Sequence, residues 1–200
     1  MSDRRPDVSI TVSPATADRF DDLAAVFGRR GADPGWCWCQ LFVRPRELEP
    51  PDPADRRGAL CSEVERATVA PGLIAYADGE PAGWTRVGPR ASLPGVTGNR
   101  ALARVLGGDP ASTWWVACFA VRPRHRRMGV ASALLEAAVC FARDHGATAV
   151  EGHPVDVAGL RAGRAAASSL YTGTRSLFAA AGFVEVGATR PTRPVMRLEL

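Results

Sequence analysis

An α/β fold containing a parallel strand pair is what this sequence predicts, and three observations carry it. Trp114 to Val121 is a continuous apolar run, and Val130 to about His145 places Val130, Leu134, Ala137, Ala138 and Phe141 on one helical stripe that stops at Gly146. Thr148 to Val155 then reads as a second strand. Strand, crossover helix and strand in that order form a right-handed unit, with a crevice at the carboxyl ends of the two strands.

The remaining elements follow in chain order. Residues 1–7 read as a loose tail and 8–200 as one domain. Val8 to Val12 alternates as a strand does, and Thr16 stands where an N-cap belongs. Phe20, Leu23, Val26 and Phe27 recur at helical spacing before the stop at Gly28 to Gly31. Residues 31–53, rich in Pro, Gly, Trp and Cys, read as an ordered loop able to wall a pocket. A helix over Pro53 to Arg66 is followed by a hairpin, Leu73–Ala77 and Ala82–Val87, turning at Asp78-Gly79-Glu80. Residues 88–112 show no periodicity and read as a mobile segment.

Composition narrows the function classes. With 46% hydrophobic and 23% charged residues, the 200-residue chain can close a core of ordinary size. No run is long enough to span a membrane, and Met1 to Asp7 lacks the apolar segment of a secretion signal, so a cytoplasmic protein is expected. All 25 basic residues are arginine, and a net charge of +4 spread along the chain carries no groove-reading motif, so no nucleic-acid partner is expected. Five cysteines, Cys37, Cys39, Cys61, Cys118 and Cys140, are an odd number, for which reduced thiols are expected. Cys37 and Cys39 have no second ligand pair nearby, so no metal is expected and the Trp36 to Gln40 string reads as a packed aromatic loop. Cys118, between Ala117 and Phe119, reads as a buried inert thiol rather than a nucleophile.

The most informative stretch is the arginine-rich turn from Val121 to Leu135. Amides at the start of a helix lack intrahelical acceptors, the helix dipole adds partial positive charge, and Gly129 admits a diphosphate without a Cβ in its path. Neither the three-glycine dinucleotide fingerprint nor a Gly-Lys-Ser/Thr loop is present, so a different phosphorylated ligand is implied.

Arg126, Gly129 and Ala131 fill the pattern Arg/Gln-x-x-Gly-x-Gly/Ala, and in this the chain resembles the GNAT-type N-acetyltransferases over roughly residues 8–200. Trp114 to Val121 looks like that family's fourth strand, and Gly182-Phe183 like the start of a late strand after a short helix. The resemblance implies a mixed, mostly antiparallel sheet of six or seven strands flanked by helices, with a splayed parallel pair at the cofactor site. It implies acetyl-CoA as cosubstrate. Its pantetheine arm would lie along Phe119, Ala120 and Val121, and its diphosphate on Arg126, Arg127, Met128, Gly129, Val130, Ala131 and Ser132. The acceptor would be an amine, of a small molecule or a peptide, and relatives are frequently homodimers. Without lysine, self-acetylation would be confined to the N-terminus.

Transfer to an alkylamine requires loss of a proton, since such amines have a pKa near ~10. Glu151 and His153, alternating on one face of the fifth strand with Asp156 beyond, are the candidate bases; the alternative is that Glu151 pairs with an arginine and His153 fills the strand edge. No carboxylate lies between Trp114 and Val121, where many relatives carry their base. The family's thiolate-protonating tyrosine falls on Phe178, which leaves Tyr171, seven residues earlier, as the candidate acid. Pocket walls are expected from Trp36 to Leu41, Trp84, Arg86 and residues 88–112, on the acceptor side. The rival to an enzyme is a catalytically silent acyl-CoA-binding sensor or interaction module, which the missing tyrosine and carboxylate would suit.

Overall fold

The computed structural model describes residues 8–28, 38, 40–43, 53–160 and 167–200. The tail and most of the Trp- and Cys-bearing loop lie outside the described residues. Within them, β1 (Ile10–Pro14), β2 (Gly72–Ala77), β3 (Glu80–Pro89), β4 (Thr113–Val121), β5 (Ala149–Gly152), β6 (Val184–Arg190) and β7 (Arg193–Glu199) form one sheet in the order β1-β2-β3-β4-β5-β7-β6. Every neighbouring pair is antiparallel except β4 and β5, which run parallel. This is the mixed, mostly antiparallel sheet expected.

The helices are α1 (Phe20–Phe27), α2 (Pro53–Arg66), α3 (Pro94–Thr97), α4 (Arg100–Ala103), α5 (Val130–Asp144) and α6 (Arg175–Ala180). The crossover helix α5 buries Val130, Leu134, Leu135, Ala138 and Ala142 against Leu73, Ala75, Trp114 and Val116. It sits so close to β3 that a Cβ on Gly83 would fall 2.7 Å from Val130 Cγ1. On the opposite face, Leu23, Val26, Phe27 and Leu60 pack on Ile74, Trp84 and Cys118. The β2–β3 turn places Asp78 and Gly79 at φ 50° and 80°, the pair of left-handed residues that a two-residue hairpin requires.

Several expectations are corrected. Residues 88–112 are not a featureless segment: α3 and α4 lie here, and Leu93, Val96 and Leu102 are buried against Trp115, Ala117 and Val195. β1 begins at Ile10 because its register is set by β2, Ile10 opposite Ala77 and Pro14 opposite Leu73. Thr16 makes no capping bond; its Oγ1 accepts from Arg19 Nη1 at 2.9 Å. Cys61 and Cys140 are free but Cys118 is disulfide-bonded, so it offers no thiolate. An odd count of cysteines does not forbid one pair; proximity in the fold decides it.

Candidate active site

β4 and β5 stay paired for only four positions, ending at Val116 opposite Gly152. Two features then separate them. Ala117 is an extra residue in the ladder, since Arg86 pairs with Cys118 while Val87 pairs with Val116, and such a bulge bends its strand. Beyond Gly152 the chain carries Pro154, which has no N–H to donate. Val155 instead bridges to Thr174, its N–H donating to the Gly173 carbonyl at 3.0 Å. Ala117 to Val121 is therefore paired with β3 on one edge and with no strand on the other, among the described residues. An amide-bearing arm can add to such an edge as a further strand.

At the end of that edge the chain turns through Pro123–His125 into α5. Gly129 is the N-cap, at φ 87°, and the first helical amide to find a carbonyl is that of Ala133, donating to Gly129 at 3.0 Å. The N–H groups of Val130, Ala131 and Ser132 have no acceptor among the described residues. A Cβ on Gly129 would meet only Ile10 Cδ1, at 3.7 Å, so glycine is required by its backbone angle and the space before the helix is open. Arg126, Arg127, Met128 and Gly129 are exposed around it. Arg126 Nε donates to the Val121 carbonyl at 3.3 Å, joining the turn to the strand edge. His125 beneath is buried, and burial together with Arg124 and Arg122 pushes its pKa down, so it adds no charge at neutral pH. Amides without a helical acceptor, an open approach and the exposed arginine turn fit a diphosphate; the unpaired strand edge fits the arm behind it.

Glu151 is 1% exposed, and its two oxygens are both taken: Arg90 Nη1 donates to Oε2 at 2.6 Å and Arg197 Nη1 to Oε1 at 2.9 Å. His153 is half-buried. Its Nδ1 accepts from Arg193 Nη2 at 3.3 Å, which assigns the proton to Nε2, donating to Thr189 Oγ1 at 2.8 Å. Burial and then the Arg193 charge lower its pKa from 6.5 to about 4. Tyr171 lies on the Ala167–Thr172 turn, packed against the cluster holding Cys118 and Trp84, with its ring 6.4 Å from that of Phe42. Phe178 is fully buried, edge-on to Phe119 and Phe183. Gly152 makes room for it, since a Cβ there would fall 2.4 Å from Phe178 Cε1. Trp84 and Arg86 are buried, and Arg86 is bound to Glu63 of α2 at 2.6 Å and 2.7 Å, so its charge is neutralised within the protein.

The profile of the acetyltransferase (GNAT) family matches residues 36–165, more than half of the chain. The chain belongs to the GNAT acetyltransferase family. It is accordingly an acetyl-CoA-dependent acyltransferase of the amine-acetylating kind, as the sequence resemblance implied. Solved structures share the GNAT fold at low identity. The GNAT domain of S. lividans PAT is 18% identical with a TM-score of 0.56, over 96% of this chain and 97% of that one. A putative acetyltransferase from Salmonella typhimurium, solved with acetyl-CoA, is 15% identical at 0.53, over 96% and 94%. The aminoglycoside acetyltransferase AAC(6')-Ib, solved with coenzyme A, is 17% identical at 0.56, over 96% and 95%. No curated protein sequence matches the chain.

Sequence reasoning passed over three arginines that hold the candidate residues: Arg90 and Arg197 on Glu151, and Arg193 on His153. Each is one arginine among 25, and nothing local distinguishes a buried or wall-lining arginine from a solvated one.

Proposed function

We propose that the open amides of Val130, Ala131 and Ser132, with the exposed turn Arg126 to Gly129, hold the diphosphate of acetyl-CoA, and that the free edge at Phe119 to Val121 aligns its arm. The carrying observation is the left-handed Gly129 N-cap, with unpaired amides on one side and open space on the other. The Arg122 N–H donates to the Ala82 carbonyl, so alternation along the ladder turns the Ala120 groups towards β3 as well. The bonds to the arm fall on Phe119 and on the Val121 amide N–H, since Arg126 already holds the Val121 carbonyl.

When bound, acetyl-CoA supplies an acetyl carbon activated as a thioester. Overall, a bond forms between the amine nitrogen and that carbon, the carbon–sulfur bond breaks, one proton leaves nitrogen and one is taken by sulfur. The chain's part is to align the two ends. Tyr171, placed beside the β4 edge, is the proton donor to sulfur in this reading. Glu151, with both oxygens held by arginines, and His153, with its lone pair occupied and its proton affinity depressed, act as wall rather than base. Deprotonation of the amine then runs through solvent.

The test is thermal unfolding with acetyl-CoA, alongside release of free thiol against a panel of amines. At a hundred times its dissociation constant a ligand adds ~2.7 kcal/mol, about 5 to 11 °C in a chain of this size. A shift with acceptor-dependent thiol release supports the enzyme. A shift without thiol release against any amine favours the silent sensor, and no shift defeats both.

A further inference from the structure

Arg193 opens β7 at the hairpin with β6, and its guanidinium reaches into the wall that faces the β4–β5 parting. Nη1 donates to Thr172 Oγ1 at 3.1 Å and Nη2 to His153 Nδ1 at 3.3 Å, both neutral partners. Strand alternation puts Arg193 on the same face as Val195 and Arg197, the face away from α5 that also carries Glu151. His153 is the first residue after β5 parts from β4, and Thr172, which accepts from Arg193, is the chain neighbour of Tyr171.

Among the described residues no carboxylate of this wall balances that charge. Glu151 is shared between Arg90 and Arg197. Asp156 accepts from the amides of Ala158 and Gly159 at 3.1 Å and 3.2 Å and lies 4.0 Å from Arg175, and Glu185 pairs with Arg175 at 3.3 Å. Arg190, opposite Arg193 in the β6–β7 register, is an exposed cation of the same sign. Arg193 is half-buried without a carboxylate partner among the described residues. Partial burial of a cation is costly unless an anion joins it, and a guanidinium fork matches a carboxylate in bidentate fashion. Two arginines on one wall also repel a polycation.

We propose that the acceptor is an amine that also bears a carboxylate, with Arg193 gripping the carboxylate and Arg190 drawing it in. This rests on the acetyltransferase reading above, and it makes polyamine-like acceptors poor substrates. The carboxylate can belong to a free amino acid or to the end of a peptide, and both carry the same recognition chemistry.

The experiment compares matched acceptors in which only the anion changes: free amino acids, the same amino acids as carboxamides, short peptides with free or amidated carboxyl ends, and a linear diamine. The expected result is a kcat/KM at least ~30-fold higher for an acid than for its amide, the loss expected when one partner of a charged pair is removed. Free amino acids and peptides compared side by side identify the source. Arg193→Gln should erase the difference by raising KM for the acid alone, Arg193→Lys should restore part of it, and calorimetric binding of the acid to the coenzyme A complex should weaken in step. An acetyl-CoA-induced thermal shift retained in each variant shows that it is folded and loaded. Equal rates for acid and amide, a preference for the diamine, or no product from any carboxylated amine overturns the proposal. An absent acetyl-CoA shift in the unmodified protein instead defeats the acetyltransferase reading beneath it.

Discussion

Arg90 and Glu151, 61 positions apart, meet at 2.6 Å with their side chains 5% and 1% exposed. The bond fixes the segment after β3 to β5, and Arg197 completes the grip from β7, so three elements converge on one carboxylate. Arg90 also donates from Nη2 to the Gly107 and Gly108 carbonyls at 2.8 Å and 3.0 Å. Replacing Glu151 by Gln keeps the shape but strands two guanidinium groups. Removing one partner of a buried pair costs about 3–5 kcal/mol, so the Glu151→Gln protein should melt about 10 °C lower. A drop under 2 °C would show that the pair contributes little to the fold.

Gly152 and Phe178 form a second such dependence. A methyl at Gly152 would overlap a ring that Phe119 and Phe183 hold in place, so the ring cannot swing aside. Gly152→Ala should cost about 1–3 kcal/mol by overpacking, and Phe178→Leu should cost as a single change but recover stability when combined with it. Additive losses in the double variant would refute the steric coupling.

The Gly129 reading separates folding from binding. An added Cβ there meets only Ile10 Cδ1, at 3.7 Å, an ordinary contact, so Gly129→Val should fold, at a strain cost of about 1–2 kcal/mol from its left-handed backbone. It should lose the acetyl-CoA-induced thermal shift, because a branched side chain would stand over the open amides. A full shift in this variant would place the diphosphate elsewhere.

What the sequence made legible was local. Gly129 after an arginine turn and Asp78-Gly79 between alternating strands are each written within a dozen residues, and the fold matches them. Of the α5 stripe Val130, Leu134 and Ala138 are buried, while Ala137 and Phe141 are partly buried and Leu135, Val139 and Ala142 join the core beside them. The segment 88–112 was not legible, because α3 and α4 are single turns too short to show a period and are held by Trp115 and Val195, far away in the chain. The same limit hid Arg90 and Arg193. Their importance lies in what the sheet places opposite them, which no spacing records.

His153 makes stability depend on pH. Its native pKa of about 4 lies below the 6.5 of an unfolded histidine, so between those values the unfolded chain binds the extra proton and gains free energy. Stability from this group is complete above pH ~6.5, falls as pH drops towards 4, and is level below that. In His153→Gln the melting temperature should decline less than in the unmodified protein over this window, with the two curves parallel above pH 7. Identical slopes throughout would mean that His153 titrates normally in the native state.

Tyr171 is the remaining place where chemistry and packing can be told apart. Its ring packs near Phe42 and on the cluster of Cys118 and Trp84, and phenylalanine preserves that packing while deleting the hydroxyl. If the hydroxyl protonates the departing sulfur, Tyr171→Phe should lower kcat by about 100-fold, the scale of a lost general acid, with the acetyl-CoA thermal shift unchanged. The loss should shrink with a thioester whose thiol is more acidic, since a better leaving group needs the proton less. A rate unchanged by the substitution would remove Tyr171 from the reaction, and a loss independent of the leaving thiol would assign it to positioning instead.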